Sequence, residues 1–235
     1  MTSAIILAGG LGTRLRSAVP DLPKPMAPIN GRPFLEYQLD YWIKQGISHF
    51  VLSVGYRHEL IIDHFGYKYK DAELDYVIEE TPLGTGGGLL LAAKKISKDN
   101  PFLLLNGDTY FAVDLKTLTE FSLANNADWC FSLFRTNENG RYMGMDISPQ
   151  GQITSLKSRT DRPDCLANGG VYWVNSHASL LSERFSPVDK LSLEDDIFPA
   201  AMAFGQHLLG IEFSDTFIDI GVPNDYHRAS TLLGL

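Results

Sequence analysis

Two aspartates, an arginine and a lysine stand where apolar runs end at glycine- or proline-rich turns. The run Ile5–Ala8 opens into Gly9, Gly10 and Gly12, followed by Thr13 and Arg14, and "LPKPM" just downstream carries Lys24. "LLLNGDTYF" delivers Asp108, and "FIDIGVPNDY" delivers Asp219 in the same way. Glycines let a backbone come close to an anion, and successive amides form a nest for phosphate oxygens. The loop Gly9–Thr13 with Arg14 and Lys24 therefore reads as a phosphate cradle. Glycines alone would serve a plain strand-to-helix turn equally well, and the two cations tip the balance. A carboxylate leaving a buried strand is costly unless it is paired or bound to a metal. Mg²⁺ favours one or two carboxylates plus substrate phosphates, so Asp108 and Asp219 could hold one ion between them. Taken singly, each is an ordinary turn residue.

The standard phosphate fingerprints do not fit. A dinucleotide loop needs G-x-G-x-x-G, and Leu15 stands where the third glycine belongs. A Walker loop needs Gly-Lys-Ser/Thr, and none follows. "EETPLGTGGG" (Glu79–Gly88) reads as a second glycine-rich loop whose backbone could read the edge of a base. Lys157 in "GQITSLKSRTDRP" ends a strand as a second candidate phosphate ligand. "ANGGVYWV" sets Asn168, Gly169 and Gly170 before a strand, where small residues and an amide could face a sugar. In "LSLEDDIFP", Asp195 and Asp196 read as first-turn acids that favour a helix dipole, and Glu194 is open between that role and a site. The six histidines are scattered with no Ser-His-Asp spacing, and none is assigned chemistry.

The elements that must position these residues follow from the hydrophobic pattern. Ala4–Leu7, Phe50–Val54, Leu74–Ile78 and Phe102–Leu105 read as buried strands. Phe34–Gln45, His58–His64 and Leu89–Ile96 read as helices between them. Such alternation implies an α/β fold with a mostly parallel sheet and helices on both faces. Further on, Trp129–Phe134, Met143–Ile147, Gln152–Leu156, Gly170–Val174 and His207–Phe213 read as strands, with antiparallel pairing at the tight Pro149–Gly151 turn. Leu193–Phe204 and Asn224–Leu233 read as helices. In open α/β sheets ligands bind beyond the carboxyl ends of the strands, where the motifs above fall.

Composition bounds the function. The 235 residues suffice for one domain with two lobes, and a net charge of −8 argues against a general nucleic-acid binder. Cys130 and Cys165 form no CxxC, so a reducing cytoplasm is the expected setting. The N-terminal apolar stretch is short, lacks a basic region before it and breaks at Gly9, which fits neither a signal peptide nor a membrane span.

Together these stretches resemble the sugar-1-phosphate nucleotidyltransferase family over nearly the whole chain. "LAGGLGTRL" with "PKPM" carries the likeness most specifically, and "PLGTGG", "NGD", "NGGVY" and "DIGVP" follow in order. The resemblance implies a three-layer Rossmann-like sandwich with a mixed, mostly parallel sheet. It implies a nucleotide-binding part at roughly 1–110 and a smaller sugar-binding part at roughly 111–235. It implies that Leu7, Ala8, Gly9, Gly10, Gly12 and Thr13 hold the nucleotide, with Arg14 on the β- and γ-phosphates and Lys24 on the phosphates being split. Glu79 and the turn holding Pro82, Gly84, Thr85 and Gly87 would face the base. Asp108 and Asp219 would bind Mg²⁺, Lys157 the sugar phosphate, and Asn168, Gly169 and Glu194 the sugar. The family often shows Glu-Lys-Pro at its second lysine; here "LKSRTDRP" departs, and Arg159 or Arg162 could share the task.

The implied substrates are a nucleoside triphosphate, GTP favoured, and a sugar 1-phosphate, with a homodimer left open. A phosphate monoester is already largely dianionic at neutral pH, since its second pKa is ~6, so no general base is needed. Positioning and cations would carry the catalysis. Two rivals are weaker: a non-catalytic nucleotide sensor would be expected to lose Arg14, Lys24 or the aspartates, and a dinucleotide oxidoreductase fails at Leu15.

Overall fold

The computed structural model describes residues 2–15, 18–157, 159–160, 162–175, 184–186 and 189–233. Its centre is a parallel block. β1 (Thr2–Ala8) pairs on one side with β4 (Ile47–Val54) and on the other with β7 (Phe102–Asn106), and β4 pairs with β6 (Ala72–Ile78). The short β5 (Lys68–Tyr69) closes that edge antiparallel to β6.

Strand side chains alternate between the two faces, as a period of two requires. Ala4, Ile6 and Ala8 of β1 enter one core with Phe50, Leu52 and Val54 of β4. That core is covered by α1 (Phe34–Lys44), α2 (His58–Phe65) and α4 (Leu115–Ala124). Ile5 and Val51 enter the opposite core, covered by α3 (Gly84–Ala92) and by Leu193–Ala203, a π turn leading into α5 (Phe198–Ala203). Helices on both faces are the expected three layers.

The second half of the chain extends the same sheet. β12 (Cys165–Val174) lies antiparallel to β7 and, along its other edge, to β9 (Trp129–Thr136). β10 (Gly144–Ile147) bridges β12 and β11 (Ile153–Lys157), and β13 (Leu208–Glu212) runs parallel to β9. The sheet is therefore mixed, parallel at its centre and mainly antiparallel toward the second half. Two further ribbons stand apart: β2 (Pro28–Ile29) with β3 (Arg32–Pro33), and β8 (Thr109–Phe111) with β14 (Phe217–Asp219).

Several elements differ from the sequence pattern: β2, β3, β5 and β8 have no counterpart in it, and β12 begins at Cys165, so Asn168–Gly170 lie inside that strand and not before it. The stretch read as a loop to Gly88 is helical from Gly84, because the backbone of Leu191 and Asp189 packs directly on it. A Cβ at Gly84 would lie 2.4 Å from Leu191 O, and one at Gly87 2.6 Å from Asp189 O. Close tertiary approach overrides the poor helix propensity of glycine here. α4 has no counterpart in the sequence pattern, though Asp114 caps it by accepting from Thr117 N at 2.7 Å. Among the described residues no helix is long and apolar enough to cross a membrane.

Candidate active site

The chain reverses direction across the sheet at β1: β4 and β6 lie to one side and β7 to the other. A crevice opens at such a switch point beyond the carboxyl ends. Here it is a cleft of about 630 Å³. Leu7 and Ala8 line it from the end of β1, Gly9, Gly10, Gly12, Thr13 and Arg14 from the loop that follows, and Lys24, Asp108 and Asp219 from three other segments.

The glycine loop is held from behind. Leu15, 1% exposed, anchors it in a third apolar cluster with Ile29, Phe34 and Ile218. A buried leucine is thus why no third glycine stands there. Gly12 has φ +62°, and its Cβ position lies 3.0 Å from Lys24 Cγ, so the loop folds over the lysine stem. A Cβ at Gly9 would sit 2.1 Å from Glu79 Oε1. Glu79 is buried and accepts from Ser53 Oγ at 2.8 Å and from Leu83 N at 3.1 Å. It therefore ties β4, the segment before α3 and the glycine loop together at one wall, which Pro82, Gly84 and Thr85 continue.

The β8–β14 ribbon brings the two aspartates together. Asp219 pairs with Thr109 across it, and Ile220 N donates to Asp108 O at 2.9 Å. Lys24 Nζ lies 2.8 Å from Asp108 Oδ2, and Gly221 N donates to Asp219 Oδ1 at 2.6 Å. The Cβ position of Gly221 marks the point of convergence. It lies 2.7 Å from Asp219 Oδ1, 3.4 Å from Lys24 Nζ and 3.5 Å from Asp108 Oδ2. Burial, and then repulsion from Asp108, push the Asp219 carboxyl up to about 6. Two carboxylates that disfavour each other's charge across a small gap suit a divalent cation. Among the described residues no group of three or more His, Cys, Asp or Glu is placed to hold a metal. An ion here would need phosphate oxygens to complete its shell.

On the opposite wall Asn168 donates to Tyr172 Oη at 2.7 Å and accepts from Gly170 N at 3.1 Å, which fixes its amide at the cleft. Glu194 also lines the cleft, and loss of water around it, with Asp195 and Asp108, holds its carboxyl above the usual range.

Five expected residues lie elsewhere. Lys157 is outside the cleft lining: on β11 it pairs with Asp146 Oδ2 at 3.1 Å, and Arg162 bonds the same carboxylate at 3.0 Å. Arg159 is absent from the lining as well. Gly169 faces packing, since a Cβ there would lie 2.5 Å from the Phe111 ring. Gly87 is turned to Asp189, not to the cleft. Conversely Asn106, Arg141, Tyr142, Met143, Lys190 and Phe217 line the cleft without having been singled out. "NGRYMG", a cation and an aromatic between glycines after a strand, was the available signal for Arg141 and Tyr142.

The chain is 41% identical over 226 residues to a D-glycero-alpha-D-manno-heptose 1-phosphate guanylyltransferase of Aneurinibacillus thermoaerophilus, covering 96% of each. It is 38% identical to a protein of the same name from Campylobacter jejuni, over 96% of this chain and 97% of that one. The crystal structure of HddC from Yersinia pseudotuberculosis complexed with GMP-PN superposes with a TM-score of 0.84 at 35% identity, covering 98% of this chain and 99% of the other. The nucleotidyl transferase family model matches residues 3–234, and the chain belongs to that family.

Proposed function

We propose that this protein transfers GMP from GTP to D-glycero-α-D-manno-heptose 1-phosphate, releasing pyrophosphate and forming a GDP-heptose in the cytoplasm. The observation that carries the transfer reaction is the convergence of Lys24, Asp108 and Asp219 at the mouth of a glycine loop. The guanylyl and heptose assignments rest on the two relatives above that bear that name.

In this reading the amides of Gly9–Thr13 receive the triphosphate, with Arg14 on its outer phosphates. Glu79, Pro82, Gly84 and Thr85 border the base, and Asn168 and Glu194 border the sugar. The part at 1–110 thus handles the nucleotide and the part at 111–235 the acceptor. A phosphate oxygen of the acceptor attacks the α-phosphorus, and pyrophosphate leaves in line. Lys24, fixed by Asp108, stabilises the charge that grows on the leaving group. Asp108 and Asp219 would hold Mg²⁺, which when bound neutralises phosphate charge and orients the oxygens. The residues themselves align the two anions and offset their charge, which is most of what phosphoryl transfer asks of a protein.

The test is pyrophosphate release from GTP, ATP, CTP, UTP and dTTP, each with a panel of sugar 1-phosphates. Turnover is expected with GTP and the manno-configured heptose. No release with any pair would sink the transferase reading, and a different preferred pair would replace the substrates alone.

A further inference from the structure

An acceptor phosphate brought beside Asp108 and Asp219 needs a cation of its own. Lys157 and Arg162 are committed to Asp146 outside the cleft. Among the described residues the cations that line the cleft are Arg14, Lys24, Arg141 and Lys190. Arg14 and Lys24 belong to the glycine-loop side. Lys190 precedes Leu191, whose backbone is bonded to Leu83 O and Gly86 N at the base-side wall. Arg141 instead lines the cleft with Tyr142, Met143, Asn168 and Phe217 and lies 3.9 Å from Asp219 Oδ2.

Its surroundings suit an anion ligand. Nη1 donates to Glu138 at 2.7 Å, and Nη2 donates to Asp225 and lies 3.9 Å from Asp219 Oδ2. The guanidinium lies 4.6 Å from the centre of the Tyr142 ring. Asp225, buried at 3% exposure, also accepts from Arg228 at 3.0 Å, so its charge is shared between two arginines. A guanidinium has five N–H donors. Two are used here, and Nε is buried without a partner among the described residues. A fork held in place by carboxylates loses little freedom on binding and suits the geometry of a phosphate.

We propose that Arg141 binds the phosphate of the sugar 1-phosphate, next to the paired aspartates. This rests on the transferase function proposed above. Asp225 and Glu138 act as positioning residues that hold the guanidinium.

The experiment measures acceptor KM, kcat and, separately, GTP binding by titration calorimetry, in the full chain and its variants. R141Q is expected to raise acceptor KM roughly 10- to 100-fold, the loss of one or two charge-assisted hydrogen bonds, with GTP affinity retained. R141K should recover part of the loss. Because R141Q leaves the buried Asp225 with one partner fewer, R141Q/D225N is measured beside it, and its acceptor KM should stay raised. A fall in kcat at unchanged acceptor KM, or a normal acceptor KM in the double variant, overturns the assignment and leaves Arg141 a structural role. A KM rise in K157Q but not in R141Q hands the phosphate to Lys157. Absence of turnover by the unaltered protein with every sugar 1-phosphate defeats the function itself, and that outcome is read before any variant is made.

Discussion

The ammonium of Lys24 lies 2.8 Å from Oδ2 of Asp108, and the lysine stem is covered by Gly12. A cation so restrained is aimed before substrate arrives, which is the condition for electrostatic catalysis. Charge grows on the leaving pyrophosphate, so the interaction strengthens in the transition state. Lys24→Ala is expected to lower kcat roughly 10²- to 10³-fold, the usual scale for removing one preorganised donor. GTP affinity should fall much less. Steady-state kinetics with a parallel binding titration separate the two, and an affinity loss at unchanged kcat would contradict the role.

Gly221 occupies the point where Asp108, Asp219 and Lys24 meet. A methyl group there would sit 2.7 Å from Asp219 Oδ1, inside van der Waals contact. Gly221→Ala should therefore displace the carboxylate, raise the Mg²⁺ concentration needed for half-maximal activity and depress turnover. Asp108→Asn and Asp219→Asn should abolish turnover with the fold retained, as read by circular dichroism, and should weaken Mn²⁺ binding measured by electron paramagnetic resonance. Ordinary Mn²⁺ binding in either Asn variant would remove that residue from the metal site.

What sequence pattern could and could not locate follows from range. β1, β4, β6 and β7 were legible because their apolar runs are local and bounded by turn residues. The glycine loop, Asp108 and Asp219 were legible as strand-end residues and Lys24 as the cation of a proline-flanked turn, and all of them line one cleft. That Asp108 and Asp219 share one site depends on the β8–β14 pairing, which joins segments far apart in sequence and is invisible to local pattern. Lys157 shows the same limit. Gly144 of β10 faces Lys157 on β11, and Asp146 two residues on reaches its ammonium. Register decides that pairing, and register is not readable from one strand. The helical start at Gly84 was hidden because glycine argues against helix, and only the packed Leu191 backbone explains it.

Glu79 holds its wall through bonds to both carboxylate oxygens, one from the Ser53 hydroxyl and one from the Leu83 amide. Glu79→Ala leaves two buried donors unmatched, each costing about 1–3 kcal/mol. The variant should melt well below the parent in a thermal scan. It should also bind GTP weakly even at a temperature where it is fully folded, because Gly9 loses its backing. Full affinity in the folded variant would reduce Glu79 to a stability role.

Base choice is the remaining consequence of that wall. Guanine presents an N1–H and a 2-amino group, both donors, whereas adenine offers neither at those positions. Each Glu79 oxygen accepts one bond in the protein and keeps a further lone pair. A carboxylate left facing adenine would stay unpaired, and a site built to hydrogen-bond a group rejects an analogue lacking it by as much as ~10⁴-fold. GTP is therefore expected to exceed ATP by orders of magnitude in kcat/KM with the heptose 1-phosphate. Inosine triphosphate, which keeps N1–H and lacks the 2-amino group, should fall between them. The three ratios are measured by pyrophosphate release under identical Mg²⁺. Equal use of GTP and inosine triphosphate would confine recognition to N1–H, and parity between GTP and ATP would show that this wall does not read the base.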